Sequence, residues 1–474
     1  MNPFLNPVTG IPFLKNFLFD AQRLRALSPE KINKYRDKAL RRIVRYADTV
    51  PLYHIKYQAA GLHPNDIKGI KDVTKLPFIS KQDIVEHFPN EILPQGYNKE
   101  NARIVSTAGS TGKQVSIFTD FSIFAGGIGA SLRIYAQLNL NWRTSRLANI
   151  GNFNPNMADS TAENLFYSQA SFVYSKDTRL SLNAFLPAKD IISELDRFKP
   201  DVIYSYPATF FHLAFYKRKG YGKNINPKAL LVRGSVLEPY TRSYVEEAFG
   251  CKMHNGYGSV ESSSEAPIAF ECREGTWHIN YDFFHVEAMN EDQKIIENGK
   301  RGHIVVTRLF GKATPIVRYT GMDDWVVLSD DEECSCGLHT PIIKGGVEGR
   351  KSDSVVLPDG RLFPAASFAS LYSILNDLKT RKVKQFQIVQ KKLDEIDILV
   401  IIDEDLRDVG PSVDLIFKKI QEIHQKKAGP NVQINVKEVT IIPSQKGKPA
   451  PLVISHVRPD KGYRVIEELI FFDD

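Results

Sequence analysis

The sequence contains few cysteines and no long apolar run, and each of these absences excludes a class of protein. Four cysteines in 474 residues are too few for the disulfide framework of small secreted domains, so we expect a cytoplasmic protein. A membrane-spanning helix needs about twenty consecutive apolar residues, and because no such stretch is present we expect no transmembrane segment. The N-terminal stretch MNPFLNPVTGIPFLKNFLFD is apolar, but prolines interrupt it and no basic leader precedes it, which argues against a signal peptide.

The charge balance is mildly basic, with a formal net charge of +7. A charge of this sign favours anionic small molecules such as nucleotides, but it is too small and too dispersed to indicate a nucleic-acid partner. The chain is also too long for one ordinary hydrophobic core, so we expect at least two domains.

The middle of the chain alternates between strand and helix patterns. RFKPDVIYSYP leads into a strand, ATFFHLAFYKRKG is typical of a helix, and the alternation continues through residues 229–258. Repeated units of this kind predict an α/β fold in which stacked βαβ units form a largely parallel sheet. Ligands bind such sheets beyond the carboxyl ends of the strands, where RGS (233–235) and NGYGSVES (255–262) are expected.

The two ends of the chain differ from this middle. Residues 28–61 predict helices with a break at Pro51, and Ser28 fits the N-cap of the first helix. After residue 350, paired strand patterns surround one amphipathic helix pattern, which is typical of a small α+β domain. We therefore predict a large N-terminal α/β domain over residues 1–349 and a small α+β domain over residues 350–474.

Residues 106–114, STAGSTGKQ, combine glycines, hydroxyl side chains and a lysine. They do not form a Walker phosphate loop, because only two residues separate Gly109 from Gly112 and Gln114 follows Lys113. The next residues, QVSIFTD, alternate like a strand, so a hairpin-like loop between strands is expected. Such a loop can bind phosphate through its hydroxyl and backbone N–H groups, and an ordinary polar turn is the alternative.

STAGSTGKQ resembles the serine/threonine/glycine loop of the adenylate-forming superfamily. Further stretches resemble motifs of that superfamily in the same order: YGSVES (257–262), TPIVRYTGMDD (314–324), EGRKSD (348–353) and PSQKGKPAPLVI (443–454). Residues 41–84, together with FECREGTWHIN (270–280) and ECSCGLHTP (333–341), are similar to the phenylacetate–coenzyme A ligase family. The resemblance covers roughly residues 30–455.

The resemblance implies a two-step reaction in which a carboxylic acid reacts with ATP and Mg²⁺ to give an acyl-adenylate and pyrophosphate. The thiol of coenzyme A then displaces AMP. A different acceptor (an amine, a hydroxyl or a carrier-protein thiol) and nucleotidyl transfer to a deazaflavin cofactor are the alternatives. A non-catalytic nucleotide-binding protein is a third class, against which the retained lysine and glutamate argue. The expected partners are the acid and coenzyme A, and a homodimer is one expected assembly.

The resemblance also implies roles for individual residues. Asp323 would accept the ribose hydroxyls, with Asp324 as the alternative, because a methionine interrupts the usual motif. Arg350 would reach phosphate, or else form a salt bridge between domains. Lys448 would be the catalytic lysine of adenylation on a mobile C-terminal domain, with Lys446 as its rival. The remaining residues would hold the nucleotide phosphates, Mg²⁺ and the nucleotide itself: Gly109, Ser110, Thr111, Gly112 and Lys113 the phosphates, Glu261 the Mg²⁺, and Gly234, Ser235, Tyr257 and Gly258 the nucleotide.

Cys334 and Cys336 have a metal-binding spacing, since a disulfide across one residue would be strained. Cys272 and His278 complete a Cys₃His set, which is a common closed zinc site. The resemblance adds that related proteins with these cysteines carry a structural Zn²⁺, and unmetallated thiols are the alternative. Two spare candidates exist for the nitrogen ligand, namely His285 and His339. Cys251 stands outside the set and fits a buried small hydrophobic residue.

The identity of the acid is not readable from the sequence, although an aromatic acid is what the family resemblance implies. Two stretches are candidates for the wall of its pocket. One is YSYPATFF, with Tyr204, Tyr206, Phe210 and Phe211, for which the alternative is a place in the hydrophobic core. The other is GNFNPNMADS (151–160), which is polar and contains glycine.

Overall fold

The computed structural model describes most of the chain, and the loop 108–114 and the segment 443–451 are outside the described part. The described residues are 4, 10–11, 13–14, 19–107, 115–163, 175–262, 266–330, 332–351, 354–363, 370–442, 452–457 and 464–465.

The strands are numbered here in chain order. They are β1 Ala102–Ser106, β2 Ser116–Asp120, β3 Leu147–Gly151, β4 Arg179–Asn183, β5 Val202–Ser205, β6 Ala229–Val232, β7 Met253–Tyr257, β8 Ala269–Glu271, β9 Trp277–Ile279, β10 Phe284–Met289, β11 Arg301–Arg308, β12 Trp325–Ser329, β13 Ile342–Ile343, β14 Val355–Val356, β15 Arg361–Phe363, β16 Val383–Lys392, β17 Glu395–Ile402, β18 Gln433–Glu438, β19 Val453–Ser455 and β20 Arg464–Val465.

The α-helices in the described part are numbered in the same way. They are α1 Arg23–Ala26, α2 Pro29–Asp48, α3 Pro51–Ala59, α4 Lys81–His87, α5 Phe121–Gln137, α6 Ala158–Ala162, α7 Ala188–Phe198, α8 Pro207–Arg218, α9 Pro239–Phe249, α10 Ser370–Asp377 and α11 Val413–Ala428.

The largest sheet has 11 strands in the order β10-β11-β12-β13-β9-β8-β7-β6-β5-β3-β4. Strands β4, β3, β5, β6 and β7 are parallel neighbours, as the strand–helix alternation predicts. From β7 onward the pairings become antiparallel. The prediction of a largely parallel sheet therefore holds for one half of this sheet and fails for the other.

The strands of the parallel half are buried, and helices connect them along the chain. Strands β3 and β6 are buried at every position, which is typical of parallel strands covered on both faces. Helix α8 begins with Pro207 in its first turn, and α9 ends at Gly250, which has a φ of +70°. These proline and glycine positions are the favoured start and stop signals of helices, so the sequence determines where the segments turn.

The N-terminal helices follow the predicted pattern, with the break between α2 and α3 just before Pro51. Ser28 is the N-cap residue of α2, but its side chain makes no capping hydrogen bond. Helices α2 and α3 contribute Leu40, Val44 and Tyr53 to a core that also contains residues of the antiparallel half of the sheet. None of the described helices is both long and apolar enough to cross a membrane.

The residues after 350 form two smaller sheets, a four-stranded sheet with the order β18-β17-β16-β19 and a three-stranded sheet with the order β14-β15-β20. Helix α11 contributes Ile416 and Ile420 to a core that also contains Ile388 and Ile398 of the four-stranded sheet. The predicted α+β character of this region is therefore observed. Whether the boundary between two domains falls at residue 350 stays a prediction.

Candidate active site and metal centre

A cavity of about 630 Å³ opens beyond the carboxyl ends of β3, β5, β6 and β7. This is the position at which open α/β sheets bind their ligands. Several residues from separate motifs reach its lining, although these motifs lie far apart along the chain. Those predicted from the sequence are Gly234, Tyr257, Gly258, Glu261, Asp323 and Arg350. Ser235 is exposed and does not belong to the lining.

Gly234 follows β6 and turns the chain away from the sheet with a φ of +81°. A Cβ atom at this position would lie 2.9 Å from the ring of Tyr206, which also lines the cavity. A side chain here would meet both backbone strain and a clash with the aromatic ring, so glycine is required. Because residue 234 is glycine, the chain can turn here, and Arg233 and Gly234 both line the cavity.

Glu261 is buried in the wall of the cavity, at the end of a turn that two serines stabilise. The backbone N–H of Ser262 donates to Ser259 Oγ at 3.1 Å, and the backbone N–H of Ser259 donates to Ser262 Oγ at 3.2 Å. The guanidinium of Arg308 donates to the carbonyl oxygen of Ser262 at 2.8 Å. Together these contacts fix the carboxylate of Glu261 at the cavity.

The hydroxyl of Tyr319 lies 3.4 Å from Glu261 Oε1. Burial and the neighbouring Glu261 carboxylate raise the pKa of Tyr319 above its usual range, so the phenol keeps its proton and donates to the carboxylate. Gly321 leaves room for this contact, because a Cβ atom there would lie 2.3 Å from the Tyr319 hydroxyl. Residue 321 of TGMDD is therefore a glycine because the Tyr319 hydroxyl lies too close to its backbone for a side chain.

The two candidate aspartates for the ribose have different surroundings. Asp324 is buried and accepts a hydrogen bond from the Tyr257 hydroxyl at 2.7 Å. Burial, and then the Asp324 carboxylate, raise the pKa of Tyr257 well above its usual value, so this phenol also stays protonated. Asp323 is half-buried, lines the cavity and has a φ of +50°. Asp323 therefore lines the cavity, whereas Asp324 lies outside its lining and orients the Tyr257 hydroxyl.

Arg350 lines the cavity, and its backbone forms a β-bridge with Asp324. The arginine of the RYTG stretch, Arg318, has a different role. Its guanidinium bonds the Glu287 carboxylate at 3.0 Å and the carbonyl oxygen of Leu76 at 2.6 Å, and both arginine and glutamate are buried. Arg318 therefore ties the motif to the N-terminal part of the chain, while Arg350 faces the ligand space.

Some of the predicted residues lie outside the described part of the chain, namely Gly109, Ser110, Thr111, Gly112, Lys113 and Lys448, together with its rival Lys446. The flanks of the first loop are described. Strands β1 and β2 pair in antiparallel fashion up to Ser106 opposite Ser116. The hairpin-like arrangement inferred from the alternation is therefore observed, and Thr107, which precedes the loop, lines the cavity.

The cavity also contains residues for which the sequence analysis assigned no role. Lys81, at the start of α4, lies in the lining. Arg233 and Asp159 form an ion pair there, with Arg233 Nη1 at 2.5 Å from Asp159 Oδ1. A signal for Asp159 existed, because it lies in the polar stretch 151–160. Nothing in the sequence indicated that Arg233, which follows β6, would meet it.

The candidate aromatic residues of the acid pocket divide into two pairs. Tyr204 and Tyr206 line the cavity, as the functional interpretation predicted. Phe210 and Phe211 are buried in the hydrophobic core instead. The division follows from the structure of the segment, because the tyrosines lie at the end of β5 and the phenylalanines lie on α8.

Cys272, His278, Cys334 and Cys336 lie close together on the antiparallel half of the large sheet, with their ligand atoms within 4.8 Å of one another. Cys272 Sγ lies 3.7 Å from Cys334 Sγ, and Cys336 Sγ lies 3.2 Å from His278 Nε2. Zinc–sulfur bonds of about 2.3 Å place two tetrahedral sulfur ligands about 3.8 Å apart. The donor set and its spacing therefore fit a tetrahedral zinc ion.

The orientation of the His278 ring also fits a bound zinc ion. Its Nδ1 atom lies 3.0 Å from Thr340 Oγ1, which leaves Nε2 directed towards the cysteines. A hydrogen bond of this kind to the second ring nitrogen is usual for metal-binding histidines. The spare candidates are elsewhere: His285 accepts a hydrogen bond from Arg36 at 3.0 Å, and His339 is exposed. Cys251, predicted to be buried, is half-buried, and burial raises the pKa of its thiol to about 12.

The fold is that of the adenylate-forming coenzyme A ligases. A crystal structure of 2-hydroxyisobutyryl-CoA ligase in complex with 2-HIB-AMP matches with a TM-score of 0.74 and 19% identity, covering 91% of each chain. No protein-family model matches the chain.

In sequence, the chain is similar to phenylacetate–coenzyme A ligases. The protein of Thermus thermophilus is 28% identical over 446 residues, which cover 89% of this chain and 94% of that protein. The protein of Pseudomonas putida is 26% identical over 377 residues, which cover 74% of this chain and 78% of that protein. These likenesses confirm the predicted resemblance and the predicted fold class.

Proposed function

We propose that the protein activates a carboxylic acid with ATP through an acyl-adenylate and transfers the acyl group to coenzyme A, releasing pyrophosphate and AMP. One observation carries the proposal. Tyr257, Glu261, Asp323 and Arg350 come from three separate motifs and meet in one cavity at the carboxyl ends of the parallel strands. The similarity to phenylacetate–coenzyme A ligases over most of the chain supports the same reaction.

The first step brings two anions together, so the site must offset the repulsion between the carboxylate and the α-phosphate. Arg350 lies in the cavity and supplies one cation. Lys448 supplies a second cation in our proposal, and Ser110, Thr111 and Lys113 of the loop hold the outer phosphates. The Glu261 carboxylate is an oxygen ligand suited to Mg²⁺, which offsets phosphate charge when bound. Tyr319 holds that carboxylate in place through its hydroxyl.

The nucleotide would be bound by the rest of the lining. Asp323 accepts the ribose hydroxyls in our proposal, while Tyr257, fixed by its hydrogen bond to Asp324, borders the base or ribose. Gly234 and Gly258 let the backbone approach the nucleotide closely. Ser235 is exposed outside the cavity lining, so we assign it no contact in this arrangement.

We propose that residues 350–474 form a domain that moves between the two steps, because Lys448 belongs to it and is needed only in the first step. Contacts with the main body include Arg381 Nη2 to Glu247 Oε1 at 3.2 Å and Lys219 Nζ to Asp403 Oδ1 at 3.7 Å. These ion pairs are partly exposed and each contributes little stability. Apolar residues of both parts, such as Tyr244 and Leu371, also belong to one buried cluster, which the movement would have to open. Gly349, with a φ of +105°, lies at the predicted boundary.

We also propose that the Cys₃His cluster holds one structural Zn²⁺. The ion would connect the β8–β9 hairpin to the loop before β13, and it would have no free coordination position for catalysis. The cluster is separate from the cavity, since none of its four residues lines it. Its contribution would therefore be to stability.

The experiment that tests the ligase reaction is a panel of carboxylic acids, aromatic and aliphatic, incubated with ATP and Mg²⁺. Pyrophosphate release is measured first, and AMP release is then measured with and without coenzyme A. We expect at least one acid to give pyrophosphate and coenzyme A to accelerate AMP release. Pyrophosphate release with AMP release that coenzyme A does not accelerate would assign a different acceptor, such as an amine or a carrier-protein thiol.

A further inference from the structure

The positive charge of the chain is concentrated in its first 45 residues. These residues contain ten lysines and arginines against three aspartates and glutamates, whereas the remaining residues contain 52 of each kind. The first 45 residues therefore carry the whole formal net charge of +7. The prediction of a dispersed charge was wrong in this respect. An asymmetry of this kind indicates an anionic partner for one part of the molecule.

Helix α2 places five of these cations on one face. They are exposed and spaced by three or four residues, an arrangement that puts side chains above one another along a helix. These five residues, called the basic stripe here, are Lys31, Lys34, Lys38, Arg42 and Arg45. At 1.5 Å per residue the basic stripe is about 21 Å long. The opposite face of α2, including Leu40 and Val44, is buried in the core, so the stripe faces outward.

Acidic side chains neutralise little of the basic stripe. Lys34 Nζ lies 2.7 Å from Glu30 Oε1, but the two side chains are 75% and 76% exposed, so water screens this pair. The Arg42 guanidinium donates to a backbone carbonyl oxygen at 3.2 Å, which does not offset its charge. Within the part of the chain that the structure describes, Lys31, Lys38 and Arg45 form no ion pair. The basic stripe therefore keeps most of its charge for a partner.

Three large apolar side chains are exposed in the segment that precedes α1. Ile11, Leu14 and Phe19 are 67%, 55% and 63% exposed. Phe13 of the same segment packs against the body, with its ring centroid 5.7 Å from that of Phe121. The segment thus holds one apolar side chain against the protein and presents three others to solvent. Apolar side chains grouped in this way are typical of a surface that a partner or a membrane covers.

The exposed apolar residues lie beside the basic stripe. The guanidinium of Arg23 lies 4.1 Å from the centre of the Tyr35 ring on α2. Tyr35 follows Lys31 by four residues and precedes Lys38 by three, so it lies between them on the helix surface. Only four residues separate Phe19 from Arg23, and they span at most about 14 Å. The side chain of Phe19 is therefore close to the positive charges of α2.

We propose that the basic stripe, together with Ile11, Leu14 and Phe19, forms a docking surface for an anionic lipid membrane. The protein binds this membrane from one side, without spanning it. The cations attract the negatively charged headgroups. The apolar side chains enter the boundary between headgroups and acyl chains. Stable attachment needs both contributions, because a few side chains of either kind alone bind a membrane weakly.

Two other occupants fit this surface less well. A nucleic acid would contact the basic stripe through its phosphates, but it would leave the three apolar side chains in water. A second copy of the chain that placed one basic stripe against the other would bring like charges together. The combination of cations with exposed apolar side chains therefore favours a lipid surface.

The charge contribution is tested by sedimentation of the full chain with vesicles of phosphatidylcholine, alone or mixed with phosphatidylglycerol. We expect binding to the anionic vesicles only, and weaker binding as salt is added. Lys31→Glu combined with Lys38→Glu and Arg45→Glu should lower the partition coefficient about a hundredfold. The matched control is Lys223→Glu combined with Lys252→Glu and Lys418→Glu, which changes the net charge equally at exposed positions elsewhere. This control should retain most of the binding.

The apolar contribution is tested with a second pair of variants. Leu14→Ser combined with Phe19→Ser should lower the partition coefficient for anionic vesicles about tenfold, because less apolar surface enters the membrane. The control is Val409→Ser combined with Ile441→Ser, whose side chains are 61% and 76% exposed. This control should bind like the wild type. Melting temperatures close to that of the wild type establish that all four variants are folded.

Four results would overturn the proposal: no binding to anionic vesicles, equal binding to neutral and anionic vesicles, a glutamate variant that binds like its control, or a Leu14 and Phe19 variant that binds like the wild type. A DNA duplex that binds through the basic stripe, while vesicles do not bind, would assign a nucleic-acid partner instead. Binding is measured without ATP, acid or coenzyme A. The outcome therefore does not depend on whether the proposed ligase function is correct.

Discussion

The carboxylate of Glu261 illustrates how much a single residue of the site depends on its neighbours. It is buried, the Tyr319 hydroxyl lies 3.4 Å away, and its turn is fixed by Arg308 and two serines. A carboxylate held this firmly beside the proposed phosphate site would be suited to binding Mg²⁺. We predict that Glu261→Gln lowers kcat for pyrophosphate release about a hundredfold and raises the Mg²⁺ concentration needed for half-maximal rate.

The matched control for this variant is Glu297→Gln, because the Glu297 side chain is 87% exposed. Pyrophosphate release is measured across a Mg²⁺ titration for both variants and the wild type. A Mg²⁺ curve for Glu261→Gln that overlies that of Glu297→Gln would remove Glu261 from the proposed metal-binding role.

His424 is a buried residue whose protonation couples stability to pH. Burial lowers its pKa to about 4, although the hydrogen bond from Nδ1 to the carbonyl oxygen of Ile420 at 2.8 Å opposes the shift. The unfolded chain binds a proton at this histidine below about pH 6.5, whereas the folded chain does so only below about pH 4. The contribution of His424 to stability is therefore complete above pH 6.5 and is lost progressively as the pH falls towards 4.

We predict that His424→Gln makes the protein less sensitive to acid in this window. The wild type should lose about 2 kcal/mol through this residue between pH 7 and pH 5, and the variant should not. The fall in melting temperature between these two pH values is measured for both proteins. Equal falls would mean that His424 does not titrate as its burial requires.

At the scale of secondary structure, the predictable segments were those with a complete local pattern. The helix α8 has Pro207 in its first turn, and β16 and β17 are 10 and 8 residues long, so their periodicities are clear. The antiparallel half of the large sheet was not predicted, and three of its strands are very short: β8 and β9 contain 3 residues each and β13 contains 2. Strands this short have no periodicity of their own, and their pairing depends on the tertiary fold.

The residues of the Cys₃His cluster lie on or beside these short strands. Cys272 directly follows β8, His278 lies on β9, and Cys334 and Cys336 lie in the loop before β13. We predict one tightly bound zinc ion per chain by elemental analysis of protein purified without chelators. Removing the ion should lower the melting temperature, because metal bound only by the folded chain stabilises it.

The control replaces Cys251 instead of a cluster residue. Cys334→Ser combined with Cys336→Ser should abolish zinc binding, whereas Cys251→Ser should retain one ion per chain. Less than about 0.2 zinc ions per chain in the wild type would reject the site, given the affinity of closed Cys₃His sets. Zinc retained by the double variant would show that other residues bind it.

At the scale of the whole molecule, the strand–helix alternation predicted that residues from separate motifs meet, because residues after adjacent parallel strands lie at one edge of the sheet. Gly234 follows β6 and Gly258 follows β7, and both line the cavity. The ion pair of Asp159 and Arg233 could not be predicted in the same way. Its partners lie on different βα connections, and neither has a local pattern that indicates the other.

The whole-molecule proposal is that the C-terminal domain delivers Lys448 for the first step and withdraws it for the second. We predict that Lys448→Ala lowers acid-dependent pyrophosphate release about a hundredfold or more. Thioester formation from a supplied acyl-adenylate and coenzyme A should remain largely intact. The two half-reactions are measured separately, with the neighbouring Lys446→Ala as the matched variant. An inactive Lys446→Ala beside a normal Lys448→Ala would move the catalytic lysine by two positions.

The central claim is that this chain joins a carboxylic acid to AMP. Acid-dependent exchange of labelled pyrophosphate into ATP, measured without coenzyme A, tests this step most directly because it requires reversible acyl-adenylate formation and no acceptor. We predict that exchange requires both an acid and Mg²⁺, and that adding coenzyme A diverts the adenylate to a thioester detectable by mass spectrometry. Exchange that is absent with every acid of the panel, in folded protein containing its metal, would contradict the account.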